Sequence, residues 1–406
     1  MKHFLILISI LLAFVSCSKS DDDPTPAGPA KRTVIVYISA ENNLSSFADM
    51  DTTEMINGSK LLSSDCNYIA FVDKAEKNVP PSIWRFEGGK KELVKQFDAD
   101  FYNSDPSMMS EILEFIVKKY PAKSYGLVLW GHATAWFIEN DTVATSRQAG
   151  PRYAYGRDTG NNSNSGENIG KWMNVPTMAT MLNSLSFRFD FIFCDCCNMS
   201  NVESAYELRK TTDYLIASPA EIPGKGAPYD KITPYLFDTS GFSAYKKIID
   251  AYADAYASKL PLAVIKMSEM EQLANATCVI LQTLEPTADK EFNLDGLMYY
   301  DGSRIDRLRV LFDMNDFLQQ NAASDDYEQW TQALQRAVVY ERFAATWQTL
   351  GHVNFSDFSA TEQKYGGISM YIPRTFYNNY NYSKTFNANY NKVQWYWTVG
   401  WNNYGW

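Results

Sequence analysis

Two short segments of the chain carry side chains that can do covalent chemistry. One is Trp130-Gly131-His132-Ala133-Thr134-Ala135-Trp136, and the other is Cys194-Asp195-Cys196-Cys197-Asn198-Met199. The 406 residues include only three histidines (His3, His132, His352) and six cysteines (Cys17, Cys66, Cys194, Cys196, Cys197, Cys278), so the stock of bases and nucleophiles is short. A thiol attacks as its thiolate, and a neighbouring imidazole is a common means of making one. A histidine from the first segment and a cysteine from the second would form such a pair. Zinc fits poorly, because Cys196 and Cys197 are adjacent and a zinc site wants spaced ligands. Cys194 ends an apolar run and reads as an inward-facing small hydrophobe. No structural disulfide is expected, and Cys66–Cys278 is the least implausible pair. The bland alternatives are a satisfied turn for His132 and a helix N-cap for Asp195.

The elements that must position these segments are alternating strands and helices. Thr33–Ser39, Asn67–Asp73, Tyr125–Trp130, Phe189–Cys194 and Tyr214–Ser218 are near-continuous apolar runs, as in strands buried on both faces. Ser82–Phe86 is a shorter strand before a Gly88-Gly89 turn. Helices are expected at Met108–Lys119 behind Asp105-Pro106, at Val175–Leu185 and at Val202–Lys210. This alternation predicts a mostly parallel sheet covered on both faces. Ligands of such sheets bind beyond the carboxyl ends of the strands, where both chemical segments fall. After about residue 235 the pattern is less regular. Helices are expected at Tyr245–Leu260, Glu269–Thr283, Ile305–Gln320 and Asp326–Ala337, and strands at Leu262–Met267, Val338–Ala344 and Ile368–Ile372. The tail from Tyr377 is rich in Asn, Tyr and Trp.

The start of the chain reads as an export signal. Met1-Lys2-His3 is followed by an apolar run from Phe4 to Val15, too short for a bilayer span but suited to a signal peptide over residues 1–16. The run ends at Ser16-Cys17, which resembles a lipobox with Cys17 as the lipidated residue. Residues 17–31 then form a polar, Pro-rich tether containing Asp21-Asp22-Asp23. The expected location is outside the cell membrane's inner face: an outer-membrane or cell-surface lipoprotein, touching the membrane through its lipid anchor only. With a net charge of −10, the chain lacks the basic footprint that sequence-independent nucleic-acid binding needs.

Together the two segments resemble the clostripain family of cysteine peptidases, which has a caspase–haemoglobinase fold. Leu127 to His132 with Trp136 matches one family motif, and Asp195-Cys196-Cys197-Asn198-Met199 with Val202–Leu208 matches another. Thr33–Tyr37 with Asn42-Asn43-Leu44 resembles the opening strand and loop. Ala217-Ser218, Glu221, Pro223-Gly224 and Gly226 resemble the loop after the nucleophile, and Gly367–Pro373 a late strand. The resemblance implies a caspase-like α/β/α sandwich with a mostly parallel sheet over residues 32–235. It also implies a C-terminal α+β part, 236–406, that continues the sheet and packs on the core.

By the same resemblance, His132 and Cys197 are the catalytic pair, and Cys196 stands where the family has Ala. Asp195 lies near the base of the pocket for the P1 side chain, where a buried carboxylate selects Arg or Lys. Ala133 lends a backbone N–H to the oxyanion hole. Ser218 and Glu221 fall in the substrate-binding loop. Ala133, Ala135 and Asn198 depart from the family's usual Gly, Gly and Leu. Family members are often matured by self-cleavage between the two catalytic residues. The polar stretch from Asn140 to Asn168 offers Arg147 and Arg152 for this. No redox or organic cofactor is implied; family members often need calcium, which the 47 acidic residues allow, without ligands assignable from sequence. The implied partners are protein or peptide substrates. A non-catalytic lipoprotein that binds peptide or glycan through Trp395, Trp397, Trp401 and Trp406 is the alternative.

Overall fold

Runs of β-branched and aromatic residues with no polar face can only satisfy their backbones and bury both sides at the centre of a layered sheet. In the computed structural model, which describes residues 29–138, 155–160, 170–284, 291–303, 308–381 and 383–406, that is what they do. The strands are β1 (Arg32–Ala40), β2 (Cys66–Lys74), β3 (Ser82–Glu87), β4 (Lys90–Gln96), β5 (Tyr125–Gly131), β6 (Tyr155–Asp158), β7 (Lys171–Met173), β8 (Phe189–Asp195), β9 (Thr212–Ala217), β10 (Leu262–Lys266), β11 (Gly302–Ser303), β12 (Leu308–Arg309), β13 (Leu311–Asp313), β14 (Val338–Arg342) and β15 (Ser369–Tyr371). Nine of them form one sheet in the order β14-β10-β9-β8-β5-β1-β2-β3-β4. The five central strands from β9 to β2 are parallel, and antiparallel strands flank them on both sides.

Alternate residues of each central strand feed opposite cores. Ile35, Tyr37, Leu127, Leu129 and Ile192 face one layer, which holds α2 (Pro106–Lys119), α3 (Val175–Ser184) and α4 (Val202–Leu208). Val34, Val36, Val128, Phe191 and Phe193 face the other, which holds α1 (Ser45–Ser59), α5 (Tyr229–Leu236) and α6 (Phe242–Ala255). The result is the expected α/β/α sandwich. Helix α2 starts where Asp105 accepts from the amides of Ser107 and Met108, with Pro106 at its first position. Further along, α7 (Met270–Leu281), α8 (Met314–Asn321), α9 (Ser324–Ala337), α10 (Phe386–Tyr390) and α11 (Gln394–Thr398) add to the first layer. Strand β10 extends the sheet antiparallel to β9, and β14 pairs antiparallel with β10 at the sheet's edge.

Three expectations need correction. The helix expected over Ile305–Gln320 begins only at Met314, capped by Asp313; the apolar run before it forms β12 and β13. The late strand at Ile368–Ile372 shortens to β15, which pairs with β13 and not with the central sheet. Trp395 and Trp401 are fully buried in the core, so two of the four aromatic residues that favoured a sugar-stacking surface cannot reach a ligand. The five cysteines among the described residues are free thiols. No helix among the described residues is long and apolar enough to cross a membrane.

Candidate active site

Strand register brings the two chemical segments together. Trp130 of β5 and Asp195 of β8 are paired neighbours on adjacent parallel strands. Adjacent strands lie about 4.8 Å apart. His132 and Cys197 each follow two residues past that pair, at the same rim, and both line one cleft of about 580 Å³. The turn after β5 is set by Gly131 at φ 145°, where a Cβ would lie 2.8 Å from the Ser39 carbonyl of β1. His132 is then held from both sides. Its carbonyl accepts from the Gly156 amide at 2.9 Å, and its Nε2 lies 2.8 Å from Asn43 Oδ1. With Nε2 donating to Asn43, Nδ1 is left as the ring's acceptor.

The turn after β8 has a different device. Asn198 sits at φ 59°, a region Asn tolerates, and it bonds the next loop through its amide to Ala220 O and its side chain to Pro219 O. Cys196 is fully buried, while Cys197 is half-buried, and its Sγ accepts from the Ile222 amide at 3.4 Å. Burial pushes the Cys197 thiol up to about 12, with the Glu221 carboxylate adding to the rise and the Ile222 amide opposing it. Burial also pushes His132 down to about 4, helped by the positive charge of Arg157. In this state thiol and imidazole are both neutral at pH 7.

Beneath the rim lie two buried carboxylates. Asp195 accepts from the Ala227 amide (3.0 Å), the Tyr229 hydroxyl (2.9 Å) and the Tyr252 hydroxyl (2.8 Å). It caps no helix: Asn201 caps α4 through Ser204 N. Asp51, on the buried stripe of α1 with Ala48 and Met55, accepts from Trp130 Nε1 at 2.6 Å through Oδ2 and leaves Oδ1 buried without a hydrogen-bond partner. Gly226, at φ 68°, leaves the space above both open. A Cβ there would stand 2.8 Å from Asp195 Oδ2 and 3.2 Å from Asp51 Oδ2. Burial, then the nearby Asp195 charge, raises Asp51 to about 9.

Of the remaining expected site residues, Ala133 and Glu221 line the cleft. Ser218 does not. It is fully buried, and its hydroxyl closes its own turn by accepting from the Ala220 amide. Glu221 accepts from the Leu350 amide and sits 3.8 Å from His352, whose Nδ1 lies 3.1 Å from Asp301. Asp301 raises His352 to about 9, so at pH 7 it is a cation tying the cleft wall to the C-terminal part. The left-handed strain falls on Ala135 (φ 60°); Ala133 has no positive φ. Cys17, Arg147 and Arg152 lie outside the described residues. Sequence reasoning assigned no role to Asn43, Asp51 or His352. Only Asp51 carried a local signal, an acid at i+3 on an apolar helix stripe.

A parallel-centred sandwich whose carboxyl rim presents a cysteine and a histidine defines a cysteine peptidase of caspase-like fold. The chain belongs to the Clostripain family (Peptidase_C11), whose model matches residues 36–406. It is similar to a secreted C11 cysteine protease from Bacteroides thetaiotaomicron solved with an irreversible peptide inhibitor, at 28% identity and TM-score 0.72 over 92% of this chain and 100% of the other. An inactive zymogen C11 protease from Parabacteroides distasonis shares the fold at 23% identity and TM-score 0.73, over 92% of this chain and 99% of that one. So does the secreted B. thetaiotaomicron protease iotapain, at 20% identity and TM-score 0.70, over 91% and 99%. No curated protein matches the chain.

Proposed function

We propose that the chain is an exported endopeptidase that cleaves after Arg or Lys, with Cys197 as nucleophile and His132 as its proton partner. The observation that carries this is the matched offset of the two residues beyond the Trp130–Asp195 pair, opening on one cleft. His132 Nδ1 takes the Cys197 proton as sulfur bonds to the scissile carbonyl carbon. The oxyanion is met by the backbone amides of Cys197 and Ala133. The C–N bond then breaks as the imidazolium protonates the leaving amine. Water, deprotonated by His132, attacks the thioester and releases the thiol. A neutral pair in the resting site suits this sequence, because a neutral imidazole can accept the proton at the moment of attack.

The basic P1 preference rests on Asp195 and Asp51 beneath Gly226. A guanidinium or ammonium entering that space would meet two desolvated carboxylates. Export is supported by the N-terminal signal pattern and by the secreted description of the two Bacteroides relatives. Labelling with a biotinylated acyloxymethyl ketone bearing P1 Arg tests the reading. Label is expected on wild type and on Cys196→Ala, and none on Cys197→Ala. Equal labelling of Cys197→Ala would overturn the assignment.

A further inference from the structure

The cleft contains a second histidine that the chemistry of Cys197 and His132 leaves without a role. His352 comes from the C-terminal part and lines the cleft together with Glu221, Asp301 and Cys197. Its Nδ1 lies 3.1 Å from Asp301 Oδ1 and 3.1 Å from the Gly302 carbonyl at the start of β11. Its Nε2 lies 3.8 Å from Glu221 Oε1. Both oxygens at Nδ1 are acceptors, so Nδ1 carries a hydrogen, and a carboxylate facing Nε2 favours the doubly protonated ring. Asp301 and Glu221 are largely buried, with side chains 8% and 14% exposed. Among the described residues, no lysine or arginine forms an ion pair with Glu221. Glu221 is in turn joined to the nucleophile. The next residue, Ile222, donates its amide to Cys197 Sγ at 3.4 Å, and Glu221 Oε2 accepts from the Leu350 amide at 2.6 Å. The charges of Glu221 and Asp301 both act on the thiol and disfavour its thiolate.

We propose that His352 is a positioning residue for Cys197: its positive charge offsets Glu221 and Asp301 near the sulfur, and its bridge between them keeps the Glu221–Ile222 turn, with its amide, against the nucleophile. His352 makes no bond to the reacting atoms and acts through Glu221. Without its charge, two carboxylates would oppose a sulfur that must become negative as it attacks. The role rests on the reading of Cys197 as nucleophile. The two histidines of the cleft are thus set to opposite states. Burial keeps His132 neutral, whereas the Asp301 hydrogen bond raises His352 to about 9, so its charge is present at pH 7 and is lost as pH climbs through that value. Two further charged groups share a cavity of about 540 Å³ with the His352 ring: Arg309 of β12 and Asp357, paired with each other at 3.2 Å. Asp51, raised to about 9 beneath the cleft, titrates in the same range as His352.

Iodoacetamide alkylation of Cys197, read by peptide mass spectrometry, tests this without requiring turnover. All chains carry Asp51→Asn, which removes the other group titrating in the range. At about pH 8, His352→Gln should react about three- to tenfold more slowly than its parent, equivalent to about half to one pKa unit on the thiol. The ratio should close to one above about pH 10, where the parent imidazole is neutral as well. His352→Lys, which keeps the charge, should match the parent at about pH 8 and stay ahead of His352→Gln at about pH 10. Equal rates for parent and His352→Gln at pH 8 would overturn the proposal. So would a ratio that is the same at every pH, the mark of a packing role alone, or a His352→Lys no faster than His352→Gln. Should His352→Gln fail to fold, the parent decides. Its slope of log rate against pH should dip below one between about pH 8 and 10, and an unbroken unit slope would overturn the proposal. On an Arg substrate, kcat should fall in His352→Gln and recover in His352→Lys. A chain that shows the alkylation ratios but cleaves nothing would refute the peptidase reading and leave the coupling of His352 to Cys197 standing.

Discussion

Replacing Asp51 by Asn should make the protein more stable and a poorer enzyme, with a pH dependence that identifies the cause. The native carboxyl is raised to about 9 by burial and by Asp195, against 3.8 for an ordinary aspartate. A raised acid favours the folded state fully below its unfolded pKa, and that contribution is lost as pH climbs towards the folded pKa. At pH 7 the gap is therefore about 3.2 pH units, which at 1.36 kcal/mol per unit gives a destabilisation of at most about 4 kcal/mol. Asn cannot ionise, yet its carbonyl can still accept from Trp130 Nε1. The stability difference between Asp51→Asn and its parent should open from near zero at pH 4 and grow until about pH 9. Urea unfolding in the Cys197→Ala background, at several pH values, measures it. The same change should lower kcat/KM for P1 Arg by about 10–100-fold, the loss of one of two charge partners. A stability difference that is flat with pH, or negative at pH 8, would refute the placement of an unpaired carboxyl there. Unchanged kcat/KM would remove Asp51 from the P1 pocket.

Alkylation of Cys197 by iodoacetamide should be slow at pH 7 and climb through pH 10 without a plateau near neutrality, because the thiol is raised to about 12; a plateau by pH 7 in a pH–rate series would contradict a neutral resting pair. Asn43→Ala should reduce kcat about tenfold with KM unchanged, as expected for losing one positioning hydrogen bond of about 1.4 kcal/mol, and steady-state kinetics would separate the two terms. Ala135→Gly should stabilise the fold by about 1 kcal/mol by removing a left-handed Cβ, read as a shift in urea midpoint at constant slope. Incubated wild type should split after Arg147 or Arg152 while Cys197→Ala stays whole by intact mass. An unclipped wild type that still turns over an Arg substrate would exclude self-processing.

What the sequence announced were the elements whose stability is written locally. The centre of the sheet was legible because β1, β2, β5, β8 and β9 are apolar on both faces. Helices α1 and α5 were not. Ser45–Ser59 is mostly polar and Tyr229–Leu236 contains Pro234, so both owe their form to packing on the sheet. Strand β4 was missed for a similar reason, having no buried face of its own. His132 and Cys197 were readable because each directly follows a buried strand. Asn43 and His352 reach the cleft, and Asp51 the space beneath it, from segments distant in sequence and through register-dependent positions; apart from the acid on the α1 stripe, no local pattern encodes them. Ser218 was misassigned because a residue just past a strand end can equally turn inward, as its bond to Ala220 makes it do.

Strand β4 has a consequence of its own. It ends the sheet with Lys90, Lys91 and Glu92 exposed and Lys95 half-exposed, so the outermost row of open amides and carbonyls is fringed with charge. Another extended chain laying itself along that row would have to strip water from these groups, which disfavours edge-to-edge association. For a protein expected to meet unfolded peptides as its daily traffic, that fringe is a filter. Extended chains can be held at the proposed catalytic rim and are disfavoured along this β4 edge of the sheet.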